Sequence, residues 1–281
     1  MIAVWLSLAS AVLFGGMSVG LRFALEHERD IMVGTFATVA TALVVALAWV
    51  VAEAPSRGVH AGAAWPFALA GLLQPGVGQL FATAAIRETG SSRASMAFGA
   101  APLVAVAIAL VFLGEPASVP LLVGAALIVA GSVELARERD RPAHLRRIGL
   151  AYAFVTVILF ASRDNVVRWL AKSTSAPPAV SACAALAGGL ALLAVVVRPT
   201  VSRRWLPFVP AGICFGLSYV AVFEAFYRGR VSIVSPLVAT ESLAGVGLSA
   251  LFFRHTELVG RRLALGALLI VAGGALIGAF R

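Results

Sequence analysis

Charge is scarce in this chain. Only 12% of its 281 residues are Asp, Glu, Lys or Arg, about half the roughly 25% of a soluble domain, which excludes a soluble globular fold. Cysteine is nearly absent. Cys183 and Cys214 both fall inside apolar runs, where they read as small core residues, and their spacing fits neither a disulfide framework nor a metal site. The four histidines, His27, His60, His144 and His255, all lie in the connections between apolar runs, so neither a metal centre nor a histidine proton wire is expected. Two-residue alternation is missing from the apolar runs, which excludes a β-barrel. No nucleophile stands beside a base, so no enzyme and no cofactor are expected. Gly76-Val77-Gly78 is half of a nucleotide-binding fingerprint but has no strand before it. The 22 basic residues exceed the 13 acidic ones, yet the surplus is arginine in short connections, without a compact patch of interleaved aromatics. That placement points to topogenic charge and anionic lipid headgroups as partners, not to nucleic acid.

What the chain has in abundance is apolar sequence of one length. Hydrophobic residues make up 60% and mean hydropathy is +0.97, and the runs approach the 20 residues needed to cross a bilayer as a helix. Ten such runs are expected, at about 2–25, 31–52, 64–86, 94–113, 118–135, 148–171, 178–197, 206–227, 231–253 and 258–280. The fold class is therefore an all-α, multi-pass membrane protein. The first run lacks a preceding Lys or Arg, which argues against a cleaved leader.

The connections are short, and the longest and most charged, 137–147, divides the chain near its middle. The two halves repeat. Residues 14–22, FGGMSVGLR, align with 160–168, FASRDNVVR, and GAALIVAG at 124–131 aligns with GALLIVAG at 266–273. Glu115 and Glu257 stand equally far ahead of those octets. Five helices per half is an odd number, so the second copy enters the membrane from the opposite side. Residues 1–136 and 146–281 are thus read as two inverted five-helix repeats, the plan of secondary transporters, whose binding site lies at the midplane between repeats. A later counterpart of the first run is a further reason to keep it in the mature chain.

Polar residues inside the spans mark the expected site. Arg163, Asp164 and Asn165 are consecutive in the second half of a span. Two adjacent charges there cost roughly 2.5–3.5 kcal/mol each at mid-bilayer on the lenient scale, so they must face other helices or a wet cavity. Asp164, Glu224 and Glu241 are the deep acids, expected to form a graded path from the midplane to one surface. A carboxyl in such a cavity can take up and release a proton near neutral pH, which makes protons the expected coupling ion. Glu224 is equally readable as the i, i+4 partner of Arg228. Adjacent side chains point about 100° apart on a helix, so Arg163 and Asp164 are expected to take different partners. For Arg163 these are Glu224, Glu241 or a substrate carboxylate, although a purely structural ion pair is an alternative. Gln74, beside Pro75, and Gln79 supply neutral amides, either for substrate or for inter-helix hydrogen bonds. Tyr219, Asn165, Ser18 and Trp5 are further expected cavity liners. Arg22 and Arg168, at matching helix ends, are expected to reach headgroups. Pro102 and Pro236 are expected kink points. GxxxG spacing at Gly16–Gly20 and Gly274–Gly278 allows close helix approach, within the bundle or across a homodimer formed through the last helices of the repeats.

With the duplicated five-helix plan, the Gly114-Glu115-Pro116 turn and the two glycine-bounded octets, the chain resembles the EamA-type branch of the drug/metabolite transporter superfamily over essentially its whole length. The resemblance implies a ten-helix inverted repeat with a central cavity. It also implies export or exchange of small metabolites such as amino acids across the cell (inner) membrane, with both termini in the cytoplasm. The chain departs from the family pattern at Glu241-Ser242, where relatives carry Glu-Pro, and at Arg254–Glu257. Alternatives to this reading are a nucleotide-sugar or lipid-linked carrier, which favours a basic cavity, and a non-transporting scaffold or sensor. Charge opposes the implied orientation. Arg137, Arg139, Arg141, Arg146, Arg147, Arg198, Arg203, Arg204, Arg254, Arg261 and Arg262 lie on the side opposite the termini, against Arg57, Lys172, Arg228, Arg230 and Arg281 on the terminal side. The positive-inside rule then places the termini outside.

Overall fold

The computed structural model describes residues 1–136, 147–198, 203–252 and 261–279. Expectations for Glu257, Arg254, His144, His255 and most of the connection at 137–147 lie outside the described residues. Among the described residues all regular structure is helical. The helices are α1 (Ile2–His27), α2 (Ile31–Arg57), α3 (Trp65–Gly71), α4 (Gly78–Thr89), α5 (Ser91–Phe98), α6 (Ala101–Phe112), α7 (Val119–Ala136), α8 (Arg147–Ala171), α9 (Pro178–Val197), α10 (Val209–Arg228), α11 (Val231–Val238), α12 (Glu241–Phe252) and α13 (Arg261–Ala279).

Local chemistry explains the boundaries. Asp30 caps α2, accepting hydrogen bonds from the backbone N–H groups of Met32 at 3.0 Å and Val33 at 3.3 Å. Gly90, at φ +86°, ends α4 in a conformation that side chains disfavour, and α5 starts on the next residue. Three apolar stretches expected as continuous spans are broken in mid-course. Between α3 and α4 a π-helical turn, Leu72–Val77, contains Gln74 at φ −146° and ψ 116°. Proline disfavours helical geometry in the residue before it, and Pro75 follows; the Gln74–Pro75 peptide is cis. The turns at Gly99-Ala100 and Ala239-Thr240 separate α5 from α6 and α11 from α12. The first break falls in the turn just before Pro102, whose ring has no N–H to bond the Phe98 carbonyl and would clash with it in a continuous helix; the second follows Pro236 by three residues, so that proline does not cause it.

Among the described residues, seven helical stretches are long and apolar enough to cross a membrane: Ile2–His27, Ile31–Arg57, Trp65–Thr89, Ile148–Ala171, Pro178–Val197, Arg203–Arg228 and Val231–Leu248. Shorter apolar helices, Ala101–Phe112, Val119–Gly131 and Leu268–Ile277, accompany them. The expected ten full-length spans are therefore not all recovered, in part because the break before α6 shortens one of them.

The packing is reciprocal between the halves. Helix α1 packs on α10 and α12, while α8, its counterpart, packs on α4 and α6. Helix α2 meets α10, α9 meets α3, and α7 lies along α13. In lipid no hydrophobic force drives helices together, so close approach through small residues supplies the attraction. Both octets serve this purpose. A Cβ on Gly131 would lie 2.6 Å from the Gly266 carbonyl oxygen, and one on Gly124 would lie 2.6 Å from Ile277 Cγ1. Gly15 of α1 similarly sits against Gly245 of α12, with 2.7 Å from its would-be Cβ to the Gly245 nitrogen. Helices α1 and α10 are also joined by reciprocal serine bonds. Ser10 Oγ donates to the Ser218 carbonyl at 3.1 Å, and Ser218 Oγ donates to the Ser10 carbonyl at 3.0 Å. The first apolar run is thus an integral part of the core. Beyond the helix ends, Arg204 clamps the α1–α2 turn, its Nε and Nη2 donating to the two Glu28 carboxylate oxygens at 2.5 and 2.8 Å. This pairing holds the Glu28 carboxyl below its ordinary range.

Candidate functional site

The charged triplet of α8 faces protein, not lipid. Arg163 is 3% exposed, and Asp164 and Asn165 are 5% exposed each. Arg163 and Asp164, expected to seek separate partners, pair with each other, Nε to Oδ1 at 3.0 Å. The side-chain directions do diverge, but the arginine stem is long enough to fold its guanidinium back across the gap. The guanidinium then lies over the Tyr219 ring, 5.1 Å from its centroid, and 5.9 Å from that of Phe160. Contact between Arg163 Nε and Asp164 is poorly aligned, so Nε and Nη1 of Arg163 and Oδ1 of Asp164 lack hydrogen-bond partners despite their burial. Ser235 of α11 is beside the Asp164 carboxyl.

Glu241 belongs to the same cluster. It begins α12, directly after the Ala239-Thr240 break, is 5% exposed, and interacts electrostatically with Arg163 and Asp164. An acid in the first turn of a helix meets the positive end of the peptide dipoles. In the other half, Pro102 stands in the first turn of α6, just after the Gly99-Ala100 break, so the two broken helices carry an acid on one side and a proline on the other.

Tyr219 closes the cluster from α10. Its hydroxyl donates to the Gln74 carbonyl at 2.7 Å, a backbone acceptor released where Gln74 leaves helical geometry. Gln74 Nε2 donates to Gln79 Oε1 at 3.4 Å, and Gln79 Nε2 in turn reaches Met17 Sδ at 3.8 Å. Gln74 Oε1 is buried without a partner. Asn165 ties α8 to α6, its Nδ2 donating to the carbonyls of Ala105 at 3.0 Å and Ala161 at 2.9 Å, which leaves Oδ1 unpartnered. Ser18 is buried in α1.

Other expected site residues lie elsewhere. Glu224, five positions beyond Tyr219 on α10, is engaged by Arg57 at the end of α2 and by Arg228, and Arg57 also pairs with Glu53 at 3.4 Å. The three acids therefore divide into a central pair around Arg163 and one acid held in an ion cluster at the helix ends. Trp5, expected to line a cavity, is 66% exposed on the outer surface, because at 100° per residue it falls opposite the buried Ser10, Phe14 and Ser18 of α1. Arg168 does not extend to headgroups. Its Nη1 donates to the Phe226 carbonyl at 2.7 Å, at the C-terminal end of α10, where a cation meets the negative end of the dipole. Arg22 pairs with Glu26 at 3.4 Å.

One structural contributor was missed in the sequence. Both Glu115 carboxylate oxygens accept hydrogen bonds at 2.9 Å, from the backbone N–H groups of Val231 and Ser232. Glu115 thereby caps α11 across 116 positions of sequence. Its recurrence ahead of each octet and its place in the Gly114-Glu115-Pro116 turn were the signals, and neither named a partner.

The fold is that of a helical membrane protein whose broken helices meet at a buried, incompletely satisfied polar centre, a feature that transporters built from repeats share. The chain belongs to the EamA-like transporter family, whose model matches residues 1–136 and 147–279. No curated protein matches the sequence. Among solved structures, one crystal structure of a protein 21% identical in sequence superimposes with a TM-score of 0.74, over 98% of this chain and 95% of the other; at that identity it speaks for the fold alone.

Proposed function

We propose that the protein is a secondary-active transporter of a small metabolite, an exporter or exchanger, working by alternating access between residues 1–136 and 146–281 as inverted five-helix repeats with ten spans. The observation that carries this reading is the convergence of Arg163, Asp164 and Glu241 with Gln74 and Tyr219 where helices from both halves are interrupted. Unwound backbone at membrane depth is tolerated where it is buried in protein or lines a cavity, and in carriers of this plan such interruptions form the substrate site. The low exposure of the cluster supports an occluded state. Opening then requires the reciprocal contacts of α1 with α12 and α8 with α6 to loosen alternately. Glu241 is the proposed coupling acid, exchanging a proton with the two sides, and Asp164, Arg163, Gln74 and Gln79 contribute contacts. Glu224, held by Arg57 and Arg228 at the helix ends, is left out of the proposed site. The test is an untargeted comparison of metabolites in the medium of expressing and deleted cells. At least one small solute is expected in the medium of expressing cells only, and Glu241→Gln is expected to abolish its release. Identical metabolite profiles would leave the scaffold or sensor reading in place of the carrier.

A further inference from the structure

Taking the proposed carrier site as given, we infer that the group it recognises is a hydrogen-bond-donating organic cation, a primary ammonium or a guanidinium. The inference rests on a count of what the buried centre leaves unsatisfied. Arg163 and Asp164 largely compensate each other, Nε to Oδ1 at 3.0 Å. What remains on the acceptor side is Gln74 Oε1, Asn165 Oδ1 and the Glu241 carboxyl. The first two are buried without partners, and Glu241 forms no hydrogen bond among the described residues. Asp164 Oδ1 is a further buried acceptor without a hydrogen bond, against Arg163 Nε and Nη1 as the unpartnered donors. Buried polar atoms are satisfied in the great majority of cases, so the centre lacks donors more than acceptors. When Glu241 gives up its proton, two negative charges face one positive charge, and a monovalent cation restores neutrality.

The surroundings indicate what kind of cation fits. Arg163 occupies a place where a guanidinium is held by a carboxylate and covered by aromatic rings, the Tyr219 and Phe160 faces at 5.1 and 5.9 Å. Phe98 packs on Phe160 at 5.6 Å between centroids, and Phe215 and Phe223 flank Tyr219 at 5.1 and 5.2 Å. Calcium and magnesium take six or more oxygen ligands; here apolar rings stand beside the carboxylates, the environment of an organic cation. A substrate carboxylate meets the opposite conditions. The guanidinium that would bind it is already engaged by Asp164, and Glu241 stands nearby with like charge.

The test uses one alkyl tail with four headgroups: butylamine, butylguanidine, butyltrimethylammonium and butyrate. Each is titrated against the purified full-length protein in detergent at constant ionic strength, with thermal unfolding as the readout, because a ligand bound only by the folded state raises its midpoint. Half-maximal stabilisation is expected at least tenfold lower in concentration for butylamine and butylguanidine than for the other two. Glu241→Gln is expected to weaken the amine response at least tenfold. Equal stabilisation by the trimethylammonium compound would overturn the donor requirement, stabilisation by butyrate alone would overturn the charge assignment, and no response to any of the four would overturn both. The wild-type series decides the matter even if Glu241→Gln fails to fold. Amine binding without any solute release in cells would retain this assignment while removing the carrier reading. Release of a carboxylate solute without amine binding would do the reverse.

Discussion

Removing one member of a buried ion pair is far more damaging than replacing both, because the survivor keeps its desolvation cost without its partner. Arg163 and Asp164 offer that comparison at the centre of the bundle. Arg163→Leu removes the cation that faces both Asp164 and Glu241 and uncovers the Tyr219 face. A loss of about 3–5 kcal/mol is expected, read as a large fall in the thermal midpoint in detergent. Arg163→Leu combined with Asp164→Leu is expected to recover much of that loss, since the double replacement removes both charges together. If the double variant is less stable than Arg163→Leu alone, the pair is not the unit described here. The sequence made the presence of sheltered charge at Arg163 and Asp164 legible, because hydrocarbon tolerates it no other way. It did not disclose that the two neighbours pair with each other. Helical geometry sets the direction of a Cβ, whereas the last atoms of an arginine are placed by the rings and carboxylates of helices far away in sequence.

At the scale of elements, the device with the longest reach is the cap that Glu115 places on α11. The first N–H groups of a helix have no partner within it, and at Val231 and Ser232 both are satisfied by one carboxylate from the turn after α6. Glu115→Ala is expected to cost about 0.5–2 kcal/mol, the range for loss of an N-cap, measured as a reduced thermal midpoint. Glu115→Gln, which keeps one acceptor oxygen, is expected to lie between the two. An unchanged midpoint in Glu115→Ala would show that water or another residue caps α11 equally well. Helix existence was legible throughout, since apolar runs of spanning length leave few alternatives in a bilayer. Helix interruption was legible only in part. Pro75 pointed to the break at Gln74, because proline constrains its immediate predecessor. Pro102 likewise pointed to the break at Gly99-Ala100, in the turn it cannot hydrogen-bond, whereas the break at Ala239-Thr240 follows Pro236 and no residue type in the sequence marked it.

At the scale of the whole molecule, the repeat was the most informative feature of the sequence, and its consequence is the reciprocal packing of α1 on α10 and α12 and of α8 on α4 and α6. Such an architecture is close to indifferent to which way it faces, because inverting the chain exchanges the roles of two similar halves. Orientation then falls to charge placement. For the ten spans proposed, the arginines at helix ends and connections on the side opposite the termini include Arg198, Arg203, Arg204, Arg261 and Arg262, against Arg57, Lys172, Arg228 and Arg230 on the terminal side, and residues 137–147 add five more to the first group. Lysine and arginine near the ends of spans are retained on the cytoplasmic side, while acidic residues contribute little to that bias. The neutralisation of Arg57 and Arg228 by Glu224, or of Arg204 by Glu28, therefore leaves the count intact. With ten spans, the expected outcome is that a reporter active only outside the cytoplasm works when fused after Arg281, and that a reporter active only inside is silent there. The reverse pattern would show that family topology prevails over the arginine count. Moving arginines from 137–147 into the 172–177 connection would then be expected to leave the fusion result unchanged.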